Sequence, residues 1–336
     1  MEVGGERPSI TVAIPTRNRS ALLLEAIGSV RRQTFTDFEV LVGDNASSDD
    51  TPRQLNEVAA ADRRVRVLRH DTDLGMVGNW NALVKAATGK LFLLLSDDDI
   101  LLPQALDSLR KPFAAPDTAL VYSRVLWIDD RARPVRLTRE GPEREAGHQF
   151  VRSYLAYRRE ILPCATMFRL PERTEERLTY PDVGNLCDVA LHLQCALAGQ
   201  VTYLPRPVAH YRMHGGNLSL QLRAVGDSLL RLMALCDDAN SPLAEYRGEV
   251  FRHVKIGFRW IAAAAATRGD SQEARHALET LDALGAGSTF YAGLVRLAET
   301  APLRGIARAR RPLRALRAKV ITKLWARAHR DDGSDV

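Results

Sequence analysis

The first hundred residues alternate short apolar runs with segments whose apolar residues recur at helical spacing. Residues 20–33 show that spacing at Leu23, Ile27 and Val30, and a second such segment covers 77–87. The apolar, β-rich runs that predict strands are 9–14, 38–42, 65–68 and 91–95. Strands that alternate with helices at this short spacing predict an α/β fold with a doubly wound, mostly parallel sheet flanked by helices.

The run 91–95 contains no polar residue, which is typical of a strand buried on both faces of a parallel sheet. Three carboxylates, Asp97, Asp98 and Asp99, follow it. Adjacent negative charges raise one another's pKa unless a cation lies among them, and carboxylate oxygens suit Mg2+ or Mn2+. Because ligands bind beyond the carboxyl ends of strands in open α/β sheets, the cluster predicts a metal and phosphate site. The alternative is a helix start, with the carboxylates at the positive end of the helix dipole.

Polar side chains also follow the first two predicted strands. Thr16 and Arg17 come after the first strand, and Asp44 and Asn45 come after the second. Adjacent strand ends direct these groups and the aspartates into one crevice, where Asp44 or Asn45 can hydrogen-bond a base or a ribose. Ordinary turn chemistry is the alternative for these two residues. No Gly-x-Gly-x-x-Gly pattern follows the first strand and no Gly-Lys-Ser/Thr loop exists, so a dinucleotide fold or a P-loop is disfavoured.

After residue 113 the pattern becomes less regular. It predicts a strand over 119–128, a mobile, Arg-rich excursion over 129–147, and two short strands at 201–204 and 208–211. A helix is predicted over 188–198. The C-terminal part is predicted to be helical, with helices at 225–236, 249–266 and 271–284. We therefore divide the chain into a sheet domain, a helical region and a tail, at 1–220, 221–300 and 301–336.

Composition excludes several classes of protein. No stretch reaches the roughly 18 consecutive apolar residues that span a bilayer, and the first residues lack the basic region and apolar core of a secretory signal. The four cysteines have no Cys-x-x-Cys spacing, which indicates buried thiols in a reducing compartment and neither a zinc site nor a disulfide framework. These features predict a cytoplasmic protein.

The net charge of +6 is concentrated in the tail. Residues 301–336 hold ten Lys or Arg and three Asp, which leaves 37 basic and 38 acidic residues elsewhere, so no nucleic-acid partner is indicated. Apolar residues recur at helical spacing among the basic residues of 312–330. A basic amphipathic helix of this kind can bind the inner face of an anionic membrane through 303–330. The alternative is that it packs on its own domain or on a second copy in a homodimer.

Taken together, several segments resemble glycosyltransferase family 2, the inverting sugar transferases of the GT-A fold. The resemblance spans about residues 9–220 in the expected order and spacing, which is more specific than any single motif. The matching segments are 13–19, 43–51, 74–84, 95–103, 187–191 and 211–219.

The resemblance implies roles for individual residues. Asp188 matches the catalytic acidic residue at a helix start, and Cys187 stands where the family often has Glu. Ser96 to Asp99 match the metal-binding DXD motif, with Asp98 as first choice of ligand, Asp99 beside it, and His214 completing the metal or diphosphate site. Arg17 stands where relatives often hold an aromatic residue. The residues assigned to the nucleotide-sugar are Pro15, Thr16, Arg17, Asp44, Asn45, Asn79, Asp97, Arg212 and His214.

The implied function is metal-dependent transfer of a sugar, with inversion, from a UDP- or dTDP-linked donor to an acceptor hydroxyl. The acceptor is expected to be a carbohydrate, a lipid-linked glycan or a small molecule, in bacterial cell-envelope polysaccharide, glycolipid or glycoconjugate biosynthesis. Mg2+ or Mn2+ is the expected cofactor. Two alternatives remain at this stage. A nucleotidyltransferase also has carboxylates and a metal at strand ends, and a catalytically silent scaffold would use its helical end to recruit partners.

Overall fold

The computed structural model describes residues 7–172, 177, 179–215, 217, 221–287, 289, 291–293 and 295. The chain divides into two compact units: Met1–Asp182 with Cys187–Gly215, and Val183–Leu186 with Gly216–Val336. The amphipathic tail at 301–336 lies outside the described residues, so its proposed contacts with a membrane or a second copy stay predictions, as does the three-part division of the chain.

In the described residues of the first unit, ten strands form one sheet. Its order is β3-β2-β1-β4-β9-β6-β10-β5, with β7 paired to β6 and β8 paired to β10. The strands are β1 (Ile10–Thr16), β2 (Phe38–Asp44), β3 (Val65–Arg69), β4 (Leu91–Leu94), β5 (Ile100–Leu101), β6 (Thr118–Ile128), β7 (Pro134–Leu137), β8 (Arg144–Ala146), β9 (Thr166–Arg169) and β10 (Gln200–Arg212).

The four strands β3, β2, β1 and β4 are mutually parallel, as the β-α-β-α pattern predicts. Every residue of β2 and β4 is buried, which confirms that the apolar run after residue 90 is a strand covered on both faces. The sheet becomes mixed on the other side of β4, because β9 pairs antiparallel with both β4 and β6. Since β6 and β10 are parallel, the α/β class and the central, largely parallel sheet are confirmed.

Helices cover this sheet and bury apolar faces against it. Leu23, Ile27 and Val30 of the first helix are buried in one core cluster with residues of β1 and β4, and burying each such side chain is worth about 1.5–3 kcal/mol. The helices of the first unit are α1 (Ser20–Arg31), α2 (Thr51–Ala61), α3 (Gly75–Ala86), α4 (Ala105–Arg110), α5 (Gly147–Leu155) and α6 (Cys187–Ala196).

Two sequence predictions about the later part of the sheet are wrong. The Arg-rich segment 129–147 is no unpaired excursion, because β7 pairs with the end of β6 and β8 pairs with the start of β10. The two short strands predicted at 201–204 and 208–211 are one strand, β10, which contains a register shift between Leu204 and Ala209. Such a bulge looks like a strand break in the sequence, since Pro205 and Pro207 interrupt the apolar pattern there.

The described part of the second unit contains three long helices, α7 (Leu222–Asp237), α8 (Arg247–Arg268) and α9 (Ser271–Ala283), which confirms the predicted helical region. The alanine run 262–266 is wholly buried. Gly269, whose φ of 77° is left-handed, follows the last residue of α8, and Asp270 then caps α9 by accepting the Glu273 N–H at 3.1 Å. Among the described residues, none of the helices has the length and apolar character to span a bilayer.

Candidate active site

The aspartates after β4 are held beside the end of β1. Because β1 and β4 are parallel neighbours, their carboxyl ends meet at one edge of the sheet. The Thr16 hydroxyl at the end of β1 donates to Asp97 Oδ2 at 2.8 Å. All three carboxylates are buried, with Asp97, Asp98 and Asp99 at 5%, 8% and 1% exposure. The predicted convergence of Thr16 with the cluster is therefore present.

Two cationic or polar nitrogen donors converge on a single oxygen of this cluster. His214 Nε2 lies 2.8 Å from Asp98 Oδ2, across 116 residues of sequence. Arg19 Nη1 lies 3.1 Å from the same Oδ2 and 3.1 Å from Asp97 Oδ1. The Asp98–His214 pair was predicted, but Arg19 was not. The sequence signal for Arg19 is its charge, because it is a second basic residue in the loop after β1, two positions after Arg17.

Asp99 is tied to the end of β10. Its Oδ1 accepts the backbone N–H of Arg212 at 3.0 Å. The Arg212 guanidinium donates to the Asp98 carbonyl at 3.1 Å and to Glu25 Oε2 at 2.6 Å. Arg212 thus joins the carboxylate loop to β10, which carries His214 two residues later. The roles of Asp99 as a metal ligand and of Arg212 as a donor contact stay predictions.

Burial controls the charge of this cluster. It raises the pKa of Asp97 to about 6, although the Arg19 charge and the Thr16 hydrogen bond lower it. It also raises the pKa of Asp99 well above its usual value, with repulsion from Asp98 adding to the effect. The cluster therefore requires positive charge to be fully ionised near neutral pH.

Asp44, at the end of β2, has one unsatisfied carboxylate oxygen. The side chain is fully buried, and its Oδ1 accepts the Ser47 N–H at 3.0 Å. In the part of the chain that the structure describes, Oδ2 has no hydrogen-bond partner, and Arg69 Nε lies 3.8 Å from it. A buried acceptor without a partner is costly, so Oδ2 is suited to receive a donor from a ligand.

Asn45 and Arg17 meet at Asp73, a residue that the sequence interpretation missed. The Asn45 amide donates to Asp73 Oδ1 at 2.6 Å, and its own oxygen accepts the Leu74 N–H at 2.9 Å. The Arg17 guanidinium forms an ion pair with Asp73. These contacts link the loops after β1, β2 and β3 at the same edge of the sheet. Asp73 lies in an Asp-rich turn that carries no distinctive spacing.

Asn79 and Pro15 both lie beside Gly43, near the end of β2. Asn79 is buried on α3, where its amide nitrogen donates to the Gly43 carbonyl at 2.9 Å and its oxygen lies 3.1 Å from His70 Nε2. A Cβ on Gly43 would lie 2.5 Å from Asn79 Oδ1, so the glycine permits this close approach. Pro15 is half-buried in β1 in register with Gly43. Their assignment to the donor stays a prediction.

Asp188 stands in the first turn of α6, where backbone amides favour its charge. Burial outweighs these amides and raises its pKa to about 6. Its charge also contributes, after burial, to raising the pKa of the Tyr154 and Tyr180 phenols. Asp188 is thus a carboxyl group in an aromatic setting, with a pKa close to neutrality, which suits a general base.

Asp98 and His214 can supply two of the ligands that a divalent cation needs. Among the described residues, no three His, Cys, Asp or Glu side chains form a group that could hold a metal ion. Asp98 and His214 do share one contact at 2.8 Å, a separation that two adjacent ligands of one octahedral ion adopt. Mg2+ and Mn2+ commonly take only one or two protein ligands and complete their shell with phosphate oxygens and water. The pair therefore fits such an ion when a diphosphate supplies further oxygens.

Comparison with known proteins identifies the family of this chain. The family model described as glycosyl transferase family 2 matches residues 11–184, just over half of the 336 residues. A GalNAc(5)-diNAcBac-PP-undecaprenol beta-1,3-glucosyltransferase of Campylobacter jejuni is 39% identical over 103 residues, which is 30% of this chain and 33% of that relative. The chain thus spans about a third of that relative's length.

Two solved structures share the fold. S. aureus TarS 1–349 in complex with UDP-GlcNAc has a TM-score of 0.60 at 16% identity, covering 96% of this chain and 90% of that chain. The mannosyltransferase PcManGT from Pyrobaculum calidifontis, in complex with GDP-Man and Mn2+, has a TM-score of 0.54 at 18% identity, covering 98% and 88%. The GT-A fold expected from the sequence is confirmed, and this chain belongs to glycosyl transferase family 2, whose members are enzymes that transfer sugars.

Proposed function

We propose that the enzyme transfers a sugar, with inversion, from a nucleotide-sugar donor with the help of a divalent cation to an acceptor hydroxyl. The observation that carries the proposal is the convergence of Asp98 and His214 at 2.8 Å beside the ends of β1 and β2. These strand ends also supply Thr16, Asp44 and Asn45. Such an arrangement suits a diphosphate at the carboxylates and a nucleoside at Asp44.

Asp44 is the proposed contact for the base. Its Oδ2 is a buried hydrogen-bond acceptor without a hydrogen bond among the described residues. The imide N–H of uracil or thymine can donate a hydrogen bond to it. The pairing is compatible with a UDP- or dTDP-linked sugar. UDP-GlcNAc bound to TarS, which has the same fold, supports this choice. Asn45 and Arg17, which Asp73 holds nearby, are proposed to border the ribose and the base.

Asp98 and His214 are the residues that would hold the cation, with Asp99 adjacent to Asp98. When bound, a divalent cation supplies Lewis-acid stabilisation of the negative charge on the departing nucleoside diphosphate. The Mn2+ in the PcManGT complex supports its inclusion. Asp97, held by Thr16, keeps the loop at the strand end in place for this contact.

Asp188 is the proposed general base. It accepts the proton of the acceptor hydroxyl while the hydroxyl oxygen bonds to the anomeric carbon and the bond to the diphosphate oxygen breaks. Because attack comes from the face opposite the leaving group, one displacement inverts the anomeric configuration. A pKa of about 6 keeps Asp188 mostly ionised at pH 7 and still basic enough to take a proton.

The acceptor is proposed to be a lipid-linked or polysaccharide glycan of the cell envelope. The name of the Campylobacter relative specifies an undecaprenol-linked acceptor, which supports this class of acceptor. The alignment with that relative covers 30% of this chain. Lipid-linked and soluble oligosaccharides can be compared directly as acceptors once the donor is known.

A thermal-shift screen of UDP, dTDP, GDP and CDP, with and without Mn2+, tests the donor assignment. We expect UDP or dTDP to give the largest stabilisation, and Mn2+ to increase it. Asp44→Asn should lose most of this preference, whereas Asp50→Asn, which changes an exposed carboxylate on the next loop, should behave like wild type. Equal stabilisation by all four nucleotides would contradict the role of Asp44.

Release of nucleoside diphosphate from a panel of sugar donors then separates the functional alternatives. A glycosyltransferase releases UDP or dTDP in an acceptor-stimulated reaction. A nucleotidyltransferase would instead release pyrophosphate from a nucleoside triphosphate, and a silent scaffold would release neither product.

A further inference from the structure

We infer that Arg19 is an internal counter-ion that competes with the divalent cation for Asp98 and, once displaced, contacts the donor diphosphate. The inference rests on the proposed metal-dependent function and adds a residue that the family resemblance did not assign. Its basis is the position of one guanidinium nitrogen, Arg19 Nη1, between two carboxylates.

Arg19 and a metal ion need the same oxygen. Asp98 Oδ2 accepts from Arg19 Nη1 at 3.1 Å and lies 2.8 Å from His214 Nε2. If Asp98 and His214 coordinate one cation, their lone pairs must point at that cation. The guanidinium carries a positive charge that would then repel the ion from within a few ångströms. Arg19 must therefore leave Asp98 when the cation binds.

The side chain that can move is Arg19. The side chains of Asp97 and Asp98 are 7% and 9% exposed, whereas the Arg19 side chain is 38% exposed. The backbone before it is anchored, because the Asn18 N–H donates to Ser47 Oγ at 3.0 Å and Asn18 Oδ1 accepts the Ser48 N–H at 2.8 Å. Displacement therefore requires only a new rotamer of a long side chain on a fixed loop.

The displaced guanidinium has a natural acceptor in the donor. Phosphoryl oxygens bound to the cation at Asp98 would lie at the strand end that Arg19 already faces, and guanidinium groups form strong, charge-assisted hydrogen bonds with phosphate. Arg19 thus weakens the binding of the cation in the absence of a nucleotide and strengthens the joint binding of the cation and a diphosphate. This couples cation binding to donor binding without any movement of the backbone.

The two effects have opposite signs, which gives a specific test. Mn2+ affinity without nucleotide is measured by electron paramagnetic resonance, and UDP affinity at saturating Mn2+ by calorimetry, on the full chain. Arg19→Gln should bind Mn2+ alone about tenfold more tightly than wild type and bind UDP with Mn2+ about tenfold more weakly. Arg19→Met, which keeps most of the aliphatic stem, repeats the test if the Gln variant does not fold.

Arg53→Gln is the matched control, since Arg53 is an exposed arginine of α2 with ion pairs to Asp50 and Glu57 on the surface. It should leave both affinities unchanged. If Arg19→Gln weakens both ligands, Arg19 only supports the local structure and the inference fails. Unchanged Mn2+ affinity also overturns it. If neither wild type nor any variant binds Mn2+ even with UDP, the inference fails together with the metal assignment. UDP affinity in EDTA then shows whether the donor site binds the nucleotide without a metal.

Discussion

Asp97 and Asp188 have the same pKa of about 6 for the same first reason, burial, yet their surroundings differ. Asp97 lies 3.1 Å from Arg19 and accepts the Thr16 hydroxyl. For Asp188, the opposing influences are backbone amides, its own and that of Val189. A carboxylate with a cation and a hydroxyl at its oxygens is held in one geometry. A carboxylate whose charge is favoured chiefly by the backbone amides at the start of its helix can exchange a proton with a substrate.

The comparison indicates a division of labour between two parts of the first unit. The end of β4 gathers the charges that we propose to bind a charged ligand, and the start of α6 supplies the proposed general base, whose pKa is about 6. Both use burial to raise the pKa, and among the described residues the first adds a guanidinium and a hydroxyl at its oxygens.

The largest expected effect is on turnover in Asp188→Asn. The amide cannot accept the acceptor proton, so kcat should fall by about 100- to 10,000-fold, the usual contribution of a general base. UDP affinity should stay within about twofold of wild type, because Asp188 is assigned no donor contact. Transfer assays and calorimetry on one preparation measure both. Asp182→Asn, which changes an exposed carboxylate six residues earlier in the chain, is the control. If the Asp188→Asn enzyme keeps most of its turnover, Asp188 is not the general base.

A smaller effect is expected in the pH dependence of kcat/KM. Because the ionised form of Asp188 is the base, activity should fall about tenfold per pH unit below about pH 6 and level off above it. The Asp97→Asn enzyme should show a lower rate with the same inflection, if Asp97 only positions the loop. An inflection that disappears in Asp97→Asn would assign the titration to the β4 cluster and remove the distinction between the two regions.

The smallest effect is on stability. A folded pKa raised from 3.8 to about 6 means that the folded state holds the Asp97 proton more tightly than the unfolded state. This contribution to stability is fully present below about pH 4 and is lost as the pH rises through about 6. Asp97→Asn mimics the protonated form, so it should gain up to about 3 kcal/mol relative to wild type at pH 8 and about half of that at pH 5.

Denaturant unfolding at pH 5 and pH 8 measures this difference. Asp188→Asn should change in the same direction, because burial raises its pKa as well. Asp50→Asn, which changes an exposed surface carboxylate, is the matched control. If Asp97→Asn is less stable than wild type at pH 8, the contacts with Arg19 and Thr16 outweigh the cost of burying the charge.

Much of the site was accessible from local sequence patterns. An apolar run ending in three aspartates placed Asp98 at a strand end, and polar residues after the first two strands placed Thr16 and Asp44 at the same edge. These inferences succeed because parallel strands align their carboxyl ends. Arg19 and Asp73 were missed, since a loop arginine and a turn aspartate look ordinary until their partners are known. The pairing of 129–147 with the sheet was missed for a similar reason: edge strands rich in arginine lack the apolar alternation that identifies a strand.

The sequence by itself determined the α/β fold, the helical region and the membership in glycosyl transferase family 2, because these depend on local periodicity and ordered motifs. Only the tertiary structure decided that Arg19 and His214 meet on one oxygen of Asp98, from 79 and 116 residues away in the chain. It also left Asp44 Oδ2 buried and, within the described part of the chain, without a hydrogen bond. A contact of about 3 Å depends on strand register, loop anchoring and rotamer together, and no local pattern specifies all three.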